Sequence, residues 1–249
     1  MAGKLFYQEL LSHRVKEHIV KEILVGKYKN LDRLPAEDTI AKELGVSRLT
    51  IRQALTNLAK EGLVIRKQGV GTIINPNVTS LLARLDYHMD CTQMLKNRNY
   101  EVEVVVKGIS FVQASKKIAD KLELPMGSQV CVISKIWYAN GTPAIFIENA
   151  IPVNIFTDRD IIFEHQSESI IALIDKCTTG EYSYDVISLQ CENIELLEQD
   201  VQNVFGLEDR SPFLILNQVA YDRENTPLYH AKEYYRSGFV EFSLVRNSL

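Results

Sequence analysis

Two arginines one helical turn apart, Arg48 and Arg52, have the residue type and spacing that point most directly to chemistry. They stand in the segment GVSRLTIRQAL, beside Ser47 and Thr50. A guanidinium can donate two parallel hydrogen bonds to guanine, while hydroxyls and the N–H groups of a helix N-terminus suit phosphate oxygens. An isolated pair of this kind is usually only a solvated helix face. A nucleic-acid contact therefore requires that the surrounding elements present these residues together.

Three helices and a hairpin are predicted around this segment. Apolar residues recur at helical spacing over residues 5–27, Pro35 begins a second helix that Gly45 ends, and Ser47 caps a third helix that runs to about Glu61. The β-branched segments LVIRK and GTII follow, joined by QGVG, as in a hairpin. This order is typical of a winged helix-turn-helix, whose recognition helix places its N-terminal residues against base edges in the major groove.

The predicted DNA contacts lie at the start of the third helix and in the loop of the hairpin, the wing. Leu49 is close enough to the helix tip to touch a thymine methyl, and glycines in the wing allow close approach to a phosphate. The predicted set is Ser47, Arg48, Leu49, Thr50, Arg52, Lys67, Gln68, Gly69 and Gly71.

The charge is divided unevenly along the chain. The net charge is −4, but residues 1–75 hold 13 Lys and Arg against 8 Asp and Glu, which gives +5. Residues 76–249 hold 15 against 24, which gives −9. This asymmetry favours a basic, nucleic-acid-binding module carried by an acidic domain.

Composition excludes several other classes. At 249 residues the chain can form one or two domains with a real core, and it has no apolar run of about 18 residues that could span a membrane. Its N-terminus lacks the pattern of a secretory signal. The four cysteines form no C-x-x-C pair, which disfavours a zinc site or a disulfide framework and fits a reducing compartment. We expect a cytoplasmic protein without a metal or cofactor.

The second half contains an internal repeat. Residues 118–149 align with residues 201–233 at an offset of 83, so that Tyr138 meets Tyr221, and after one inserted residue a Thr-Pro pair meets a second Thr-Pro pair. Each copy reads as a helix, a strand and a second strand separated by turns. The repeat predicts an α+β domain built from two related halves around one antiparallel sheet. A crevice between the halves would be a common place for a small ligand.

The segment LPAEDTIAKELGVSRLTIRQALTNLAKEGLVIRKQGVGTII resembles the DNA-binding domain of GntR-type bacterial transcription regulators. The resemblance implies the helix contacts named above, with Gly69 at the tip of the wing. One position departs from the family pattern. Where the family commonly has Arg after the Glu of L-P-S-E-R, this chain has Asp38, so a usual DNA contact is replaced by a carboxylate.

Residues from about 90 to 246 resemble the UTRA effector domain of the HutC subfamily, which is related in fold to chorismate lyase. The segments SFVQASKKIADKLELPMGSQVCVISKIWYANGTPAIFIENAIP, ESIIALI and TPLYHAKEYYRSGFVEF carry the resemblance. Lys135 and Trp137 stand where the family often has an R-x-R pair, and strand alternation puts both on one face. The resemblance implies an effector site that contains Thr92, Lys135, Trp137, Glu148, Ser169, Tyr229, Tyr235 and Arg236.

Two alternatives to these effector contacts stay open. Trp137 is equally consistent with a core residue, and Lys135 and Glu148 with a cross-strand pair at the surface. If they do contact the effector, a sugar phosphate or a small carboxylate is plausible.

The predicted fold is α+β, with a winged helix-turn-helix domain over residues 1–75, a linker over 76–89, and a UTRA domain with a central antiparallel sheet over 90–249. The predicted function is sequence-specific transcription regulation, as a repressor controlled by an effector. The resemblance implies a homodimer on a palindromic double-stranded DNA operator. The alternatives are a non-specific DNA-binding protein and a lyase-like enzyme, although no nucleophile–base set, paired acids or metal spacing is present to favour an enzyme.

Overall fold

A computed structural model describes residues 2–24, 26–81, 83–208 and 210–246. The chain forms two compact units, one made of residues up to His88 together with the segment from Phe242, and the other of residues 89–241. No helix in the described residues is long and apolar enough to cross a membrane. In the same residues, no group of three or more His, Cys, Asp and Glu side chains could hold a metal ion.

The first unit contains helices and one hairpin, in the order that the sequence predicts. Its elements are α1 (Ala2–Leu24), α2 (Glu37–Leu44), α3 (Arg48–Lys60), β1 (Val64–Lys67), β2 (Gly71–Ile74) and α4 (Pro76–Thr79). Strands β1 and β2 pair antiparallel. The prediction of three helices followed by a hairpin is confirmed.

Helices α1, α2 and α3 bury their apolar faces against one another. Ile19, Ile40, Ile51 and Leu55 are fully buried in this core. Gly45 makes the turn between α2 and α3 with a φ of 64°, a left-handed conformation that glycine adopts without strain. This packing fixes the direction of α3 and leaves its N-terminal turn at the surface.

The second unit is a six-stranded antiparallel sheet with helices. Its strands are β3 (Val102–Gln113), β4 (Gln129–Ala139), β5 (Thr142–Pro152), β6 (Tyr184–Glu192), β7 (Phe213–Tyr221) and β8 (Pro227–Arg236). Its helices are α5 (Cys91–Lys96), α6 (Lys116–Lys121), α7 (Ile161–His165), α8 (Ile170–Cys177) and α9 (Gln199–Phe205). The strand order is β3-β4-β5-β8-β7-β6, which confirms the predicted central antiparallel sheet.

The topology confirms the internal repeat but corrects the expected crevice. The order α6-β4-β5 recurs as α9-β7-β8, and the outer strands β3 and β6 pair with β4 and β7 in equivalent positions. The two halves do not face each other across a gap. They join edge to edge, because β5 and β8 are hydrogen-bonded in the middle of the sheet.

Each face of the sheet is covered by different helices. On one face, Ile133 packs with Leu173 of α8, and we call this the α8 face. On the other, Phe146 packs with Val201 of α9, and we call this the α9 face. Because successive residues of a strand point to opposite faces, the register decides which side chains can meet.

The compact units depart from the predicted boundaries at two places. The predicted linker, residues 76–89, begins with helix α4, and Val78 is buried in the core of the first unit. The segment from Phe242 also belongs to the first unit, where the N–H of Ser243 donates to the carbonyl oxygen of Ala83 at 2.9 Å. Apolar side chains in both segments pack on the first unit, which linear composition does not reveal.

Candidate DNA-binding surface and effector site

The N-terminal turn of α3 presents a group of exposed side chains. Arg48 is 65% exposed, and Arg52 one turn further along is also exposed. Leu49 is 54% exposed, whereas Ile51 and Leu55 of the same helix are fully buried. An exposed leucine between two arginines at a helix tip matches a surface that meets base edges and thymine methyl groups.

Thr50 does not join this exposed group. Its side chain is 2% exposed, and its Oγ1 lies 2.8 Å from the Oγ of Ser47. The backbone N–H of Thr50 donates to the same Ser47 oxygen at 3.1 Å, so the pair caps the start of α3. The helical position of Thr50 points its side chain inward, and its hydroxyl is therefore not available for the predicted DNA contact.

The wing presents the other predicted contacts. Lys67, Gln68, Gly69 and Gly71 are all exposed. Gly69 and Gly71 have φ values of 76° and 106°, which disfavour any residue with a Cβ. At these two positions no side chain stands between the backbone and an approaching phosphate.

Two carboxylates at the start of α2 lie against the basic residues of this surface. The Nε of Arg48 is 3.4 Å from Asp38 Oδ1 and 3.5 Å from Glu37 Oε2. The other oxygen of Glu37 accepts a hydrogen bond from Arg66 Nη2 at 2.6 Å, and Arg66 Nη1 also donates to Thr56 at 2.9 Å. Sequence reasoning missed Glu37, because its partner Arg66 is 29 residues away.

In the second unit, Lys135 is a buried cation on the α8 face. It is 3% exposed, and its Nζ donates to the backbone carbonyl of Glu168 just before α8. In the described part of the chain, no carboxylate lies within 4.0 Å of it. Burial lowers the pKa of Lys135 to about 8. An ammonium in such surroundings can accept an anionic partner.

Three more of the predicted effector residues lie around Lys135. Trp137, which is 7% exposed, donates from Nε1 to Thr92 Oγ1 at 3.1 Å. Ser169 caps α8 by accepting from the N–H of Ala172 at 3.3 Å. Trp137 is thus buried like a core residue, and its indole N–H is hydrogen-bonded to Thr92, another predicted effector residue.

Two predicted tyrosines also belong to the α8 face, held by buried partners. Tyr235 donates to Glu233 Oε2 at 2.6 Å and lies 3.6 Å from Cys91 Sγ. Tyr229 is fully buried and accepts from Gln218 Nε2 at 3.0 Å. Burial raises the pKa of both phenols well above their usual value, so both stay protonated; Tyr235 already donates its proton to Glu233.

Glu148 and Arg236 do not lie with Lys135. The register pairs Glu148 with Ser134, and Arg236 with Phe213, so both side chains belong to the α9 face. Glu148 accepts from Ser134 Oγ at 3.4 Å, and burial raises the pKa of its carboxyl. The sheet therefore separates these two residues from the other predicted effector contacts. The alternative of a Lys135–Glu148 cross-strand pair is wrong for the same reason.

The repeat relates Lys135 to buried polar residues that sequence reasoning missed. At the offset of 83, Lys135 corresponds to Gln218, and past the inserted residue Asn149 corresponds to Glu233. All four side chains are at most 9% exposed, and all lie on the α8 face near the junction of β5 and β8. Asn149 Oδ1 is buried without a hydrogen-bond partner in the described residues. Alignment of the two copies of the repeat could have identified Gln218, Asn149 and Glu233 from the sequence.

Comparison with known proteins covers both units. Residues 11–74 match the profile of "Bacterial regulatory proteins, gntR family", and residues 97–239 match the UTRA domain. The HTH-type transcriptional repressor NagR of Bacillus subtilis is 26% identical over 92% of this chain and 92% of its own length. The probable fructoselysine utilization operon transcriptional repressor of Escherichia coli K12 is 21% identical over 96% of each chain.

A solved structure has the same fold. The possible transcriptional regulator YydK from Bacillus subtilis superposes with a TM-score of 0.68 at 19% identity, over 94% of this chain and 100% of that chain. The predicted fold class, a winged helix-turn-helix followed by a UTRA domain, is confirmed.

Proposed function

Because the chain belongs to the gntR family of bacterial regulatory proteins and carries the UTRA domain, we propose that it is a repressor released from its operator by a small anionic effector. As its relatives are, the chain is a DNA-binding transcription regulator with a ligand-binding domain. The proposal adds the direction of regulation, the residues that read DNA and the charge of the effector.

On the DNA side, the proposal assigns base reading to the start of α3. Arg48 and Arg52 are exposed one turn apart, with the exposed Leu49 beside them. Ser47 and the wing would contact phosphates and so fix the position of α3 without reading sequence. A homodimer would place two such helices on a palindromic operator, in half-sites about one helical turn apart. Assignment to the HutC subfamily remains part of this proposal.

The observation that carries the effector assignment is the buried ammonium of Lys135. A buried charge with no carboxylate in direct contact is costly, even though the charges of Asp90 and Glu168 favour it from further away. An anion brought by a ligand would relieve that cost. We therefore place a carboxylate or phosphate group of the effector at Lys135, close to the start of α8. Thr92, Trp137, Ser169 and Tyr235 would surround it, and Asn149 and Glu233 would take hydrogen-bond donors of the same molecule.

We further infer that the chain acts in the cytoplasm and is not an enzyme, in line with relatives that are named as regulators. A candidate effector that the protein converted into a product would revive the lyase-like alternative. Binding without sequence preference would instead favour the non-specific DNA-binding alternative, since a regulator typically prefers its site by about a thousandfold or more.

The proposal is tested by selecting binding sites from randomised duplex DNA, followed by a thermal-shift screen with sugar phosphates, organic acids and amino acids. We expect one palindromic site to emerge, and at least one anionic compound to stabilise the protein and weaken its binding to that site. Stabilisation by neutral compounds alone would contradict the effector assignment.

A further inference from the structure

We propose that Asp38 is a positioning residue, which orients the guanidinium of Arg48 so that it reads one guanine of the operator. The inference rests on the proposed reading of DNA by α3.

The geometry of the ion pair sets how Arg48 can bind a base. Asp38 Oδ1 lies 3.4 Å from the Nε of Arg48, on the side edge of the guanidinium. A guanidinium has a side edge, formed by Nε and one Nη, and an end edge formed by the two Nη groups. With a carboxylate beside Nε, the end edge is the one left to donate two hydrogen bonds to guanine O6 and N7.

Asp38 and Glu37 differ in how firmly they are engaged. Glu37 is 18% exposed; its Oε1 accepts from Arg66 Nη2 at 2.6 Å, while its Oε2 lies 3.5 Å from Arg48 Nε. Asp38 is 61% exposed, and Arg48 is its ion-pair partner within the described residues. Asp38 is therefore the carboxylate that can be replaced without breaking the hydrogen bond between Glu37 and Arg66.

The arrangement has opposite effects on affinity and on selectivity. A carboxylate at the DNA-facing surface repels phosphates on every sequence and so lowers non-specific affinity. Restricting a flexible arginine to one orientation raises its preference for the base that fits that orientation. The ion pair is exposed and adds little to folding stability, so a variant at this position should fold as the parent chain does.

The experiment compares base preferences of the full chain and three variants, using selection from a randomised duplex DNA library and competition with random-sequence DNA. The variants are Asp38→Asn, Arg48→Ala, and Glu17→Gln as the control. Glu17 lies on α1, its side chain is 55% exposed, and it makes no proposed DNA contact. Its substitution by Gln removes the same negative charge as Asp38→Asn does. Circular dichroism confirms that each variant is folded.

We expect Arg48→Ala to abolish the preference for guanine at one base pair in each half-site. Asp38→Asn should reduce the preference at that same base pair by about fivefold or more, which is the lower end of the discrimination that a bidentate arginine–guanine contact supplies. The same variant should bind random DNA more tightly than the parent chain does. Glu17→Gln should leave the base preference unchanged.

Two results overturn the inference. In one, Asp38→Asn keeps the full guanine preference; in the other, it changes the preference at a different base pair, as expected if Asp38 itself contacted a base. If the parent chain selected no preferred sequence at all, or Arg48→Ala retained every preference, the failure would instead lie in the proposed reading of DNA by α3.

Discussion

Lys135 and Glu148 lie on opposite faces of the six-stranded sheet, although they stand on adjacent strands of one hairpin. Strand β4 pairs with β5 so that Ile147 is opposite Lys135, and Glu148 is opposite Ser134. The ammonium of Lys135 therefore lies on the α8 face, where burial lowers its pKa to about 8. The carboxyl group of Glu148 lies on the α9 face. A ligand that contacts Lys135 on the α8 face cannot also reach Glu148.

This separation predicts different outcomes for two matched substitutions. Lys135→Met keeps the length of the side chain but removes its charge, so we expect the anionic effector to bind at least tenfold more weakly, since a charged hydrogen bond contributes about 1.5–3 kcal/mol. Glu148→Gln should leave the effector response unchanged. Fluorescence anisotropy of labelled operator, titrated with effector, measures both. A lost response in Glu148→Gln with a normal response in Lys135→Met would reverse the assignment.

Effector affinity should depend on pH through Lys135. The free protein holds this pKa near 8, below its ordinary value of 10.5, so the ammonium that the anion requires is present at pH 7 and lost as pH rises through 8. We expect the dissociation constant to rise by about tenfold per pH unit above 8, until the pKa of the complex is reached. Calorimetric titration of the protein with the effector between pH 7 and 9.5 measures this dissociation constant.

Lys135→Arg is the control for this pH dependence. Its guanidinium stays charged throughout the range, so any remaining affinity for the anion should not fall with pH. An equal fall in both proteins would show that another group titrates.

Operator binding should depend on position along α3 rather than on total charge. We expect Arg52→Ala to weaken operator binding by about fivefold or more, because it removes a base or phosphate contact worth roughly 1–3 kcal/mol. Lys60→Ala removes the same charge from the last turn of the helix, where Lys60 is exposed, and should change the affinity only slightly. Gel-shift titrations at one fixed salt concentration compare them, and equal losses would contradict a recognition role for the start of α3.

The buried position of Thr50 predicts a loss of stability rather than of DNA binding. Thr50→Val keeps the shape of the side chain but removes the hydroxyl that lies 2.8 Å from Ser47 Oγ. We expect the free energy of unfolding to fall by about 0.5–1.5 kcal/mol, as for other lost hydrogen bonds, with operator affinity within about twofold of the parent. Urea denaturation and gel shift measure the two quantities. A folded variant with tenfold weaker operator binding would place the Thr50 hydroxyl on DNA after all.

Much of the fold follows from local signals. The caps and glycines that bound α2 and α3, the hairpin with Gly69 and Gly71, and the periodic apolar residues are each visible within a short segment, and the structure has these elements where they are expected. The repeat likewise predicts the order of helix and strands in both halves of the sheet. These features can be predicted because neighbouring residues determine them.

Local patterns are therefore enough to identify the kind of protein: a helix that begins with Arg48 and Arg52, and an α+β unit that occurs twice. Which side chains meet depends on how these elements pair and pack. A register set by the hairpin turn and by an irregularity at Trp137 and Tyr138 sends Glu148 to the α9 face, since a shift of one residue along a strand exchanges its two faces. In the same way, the pairing of Asp38 with Arg48 depends on how α2 packs against α3, a relationship that spacing along the chain does not encode.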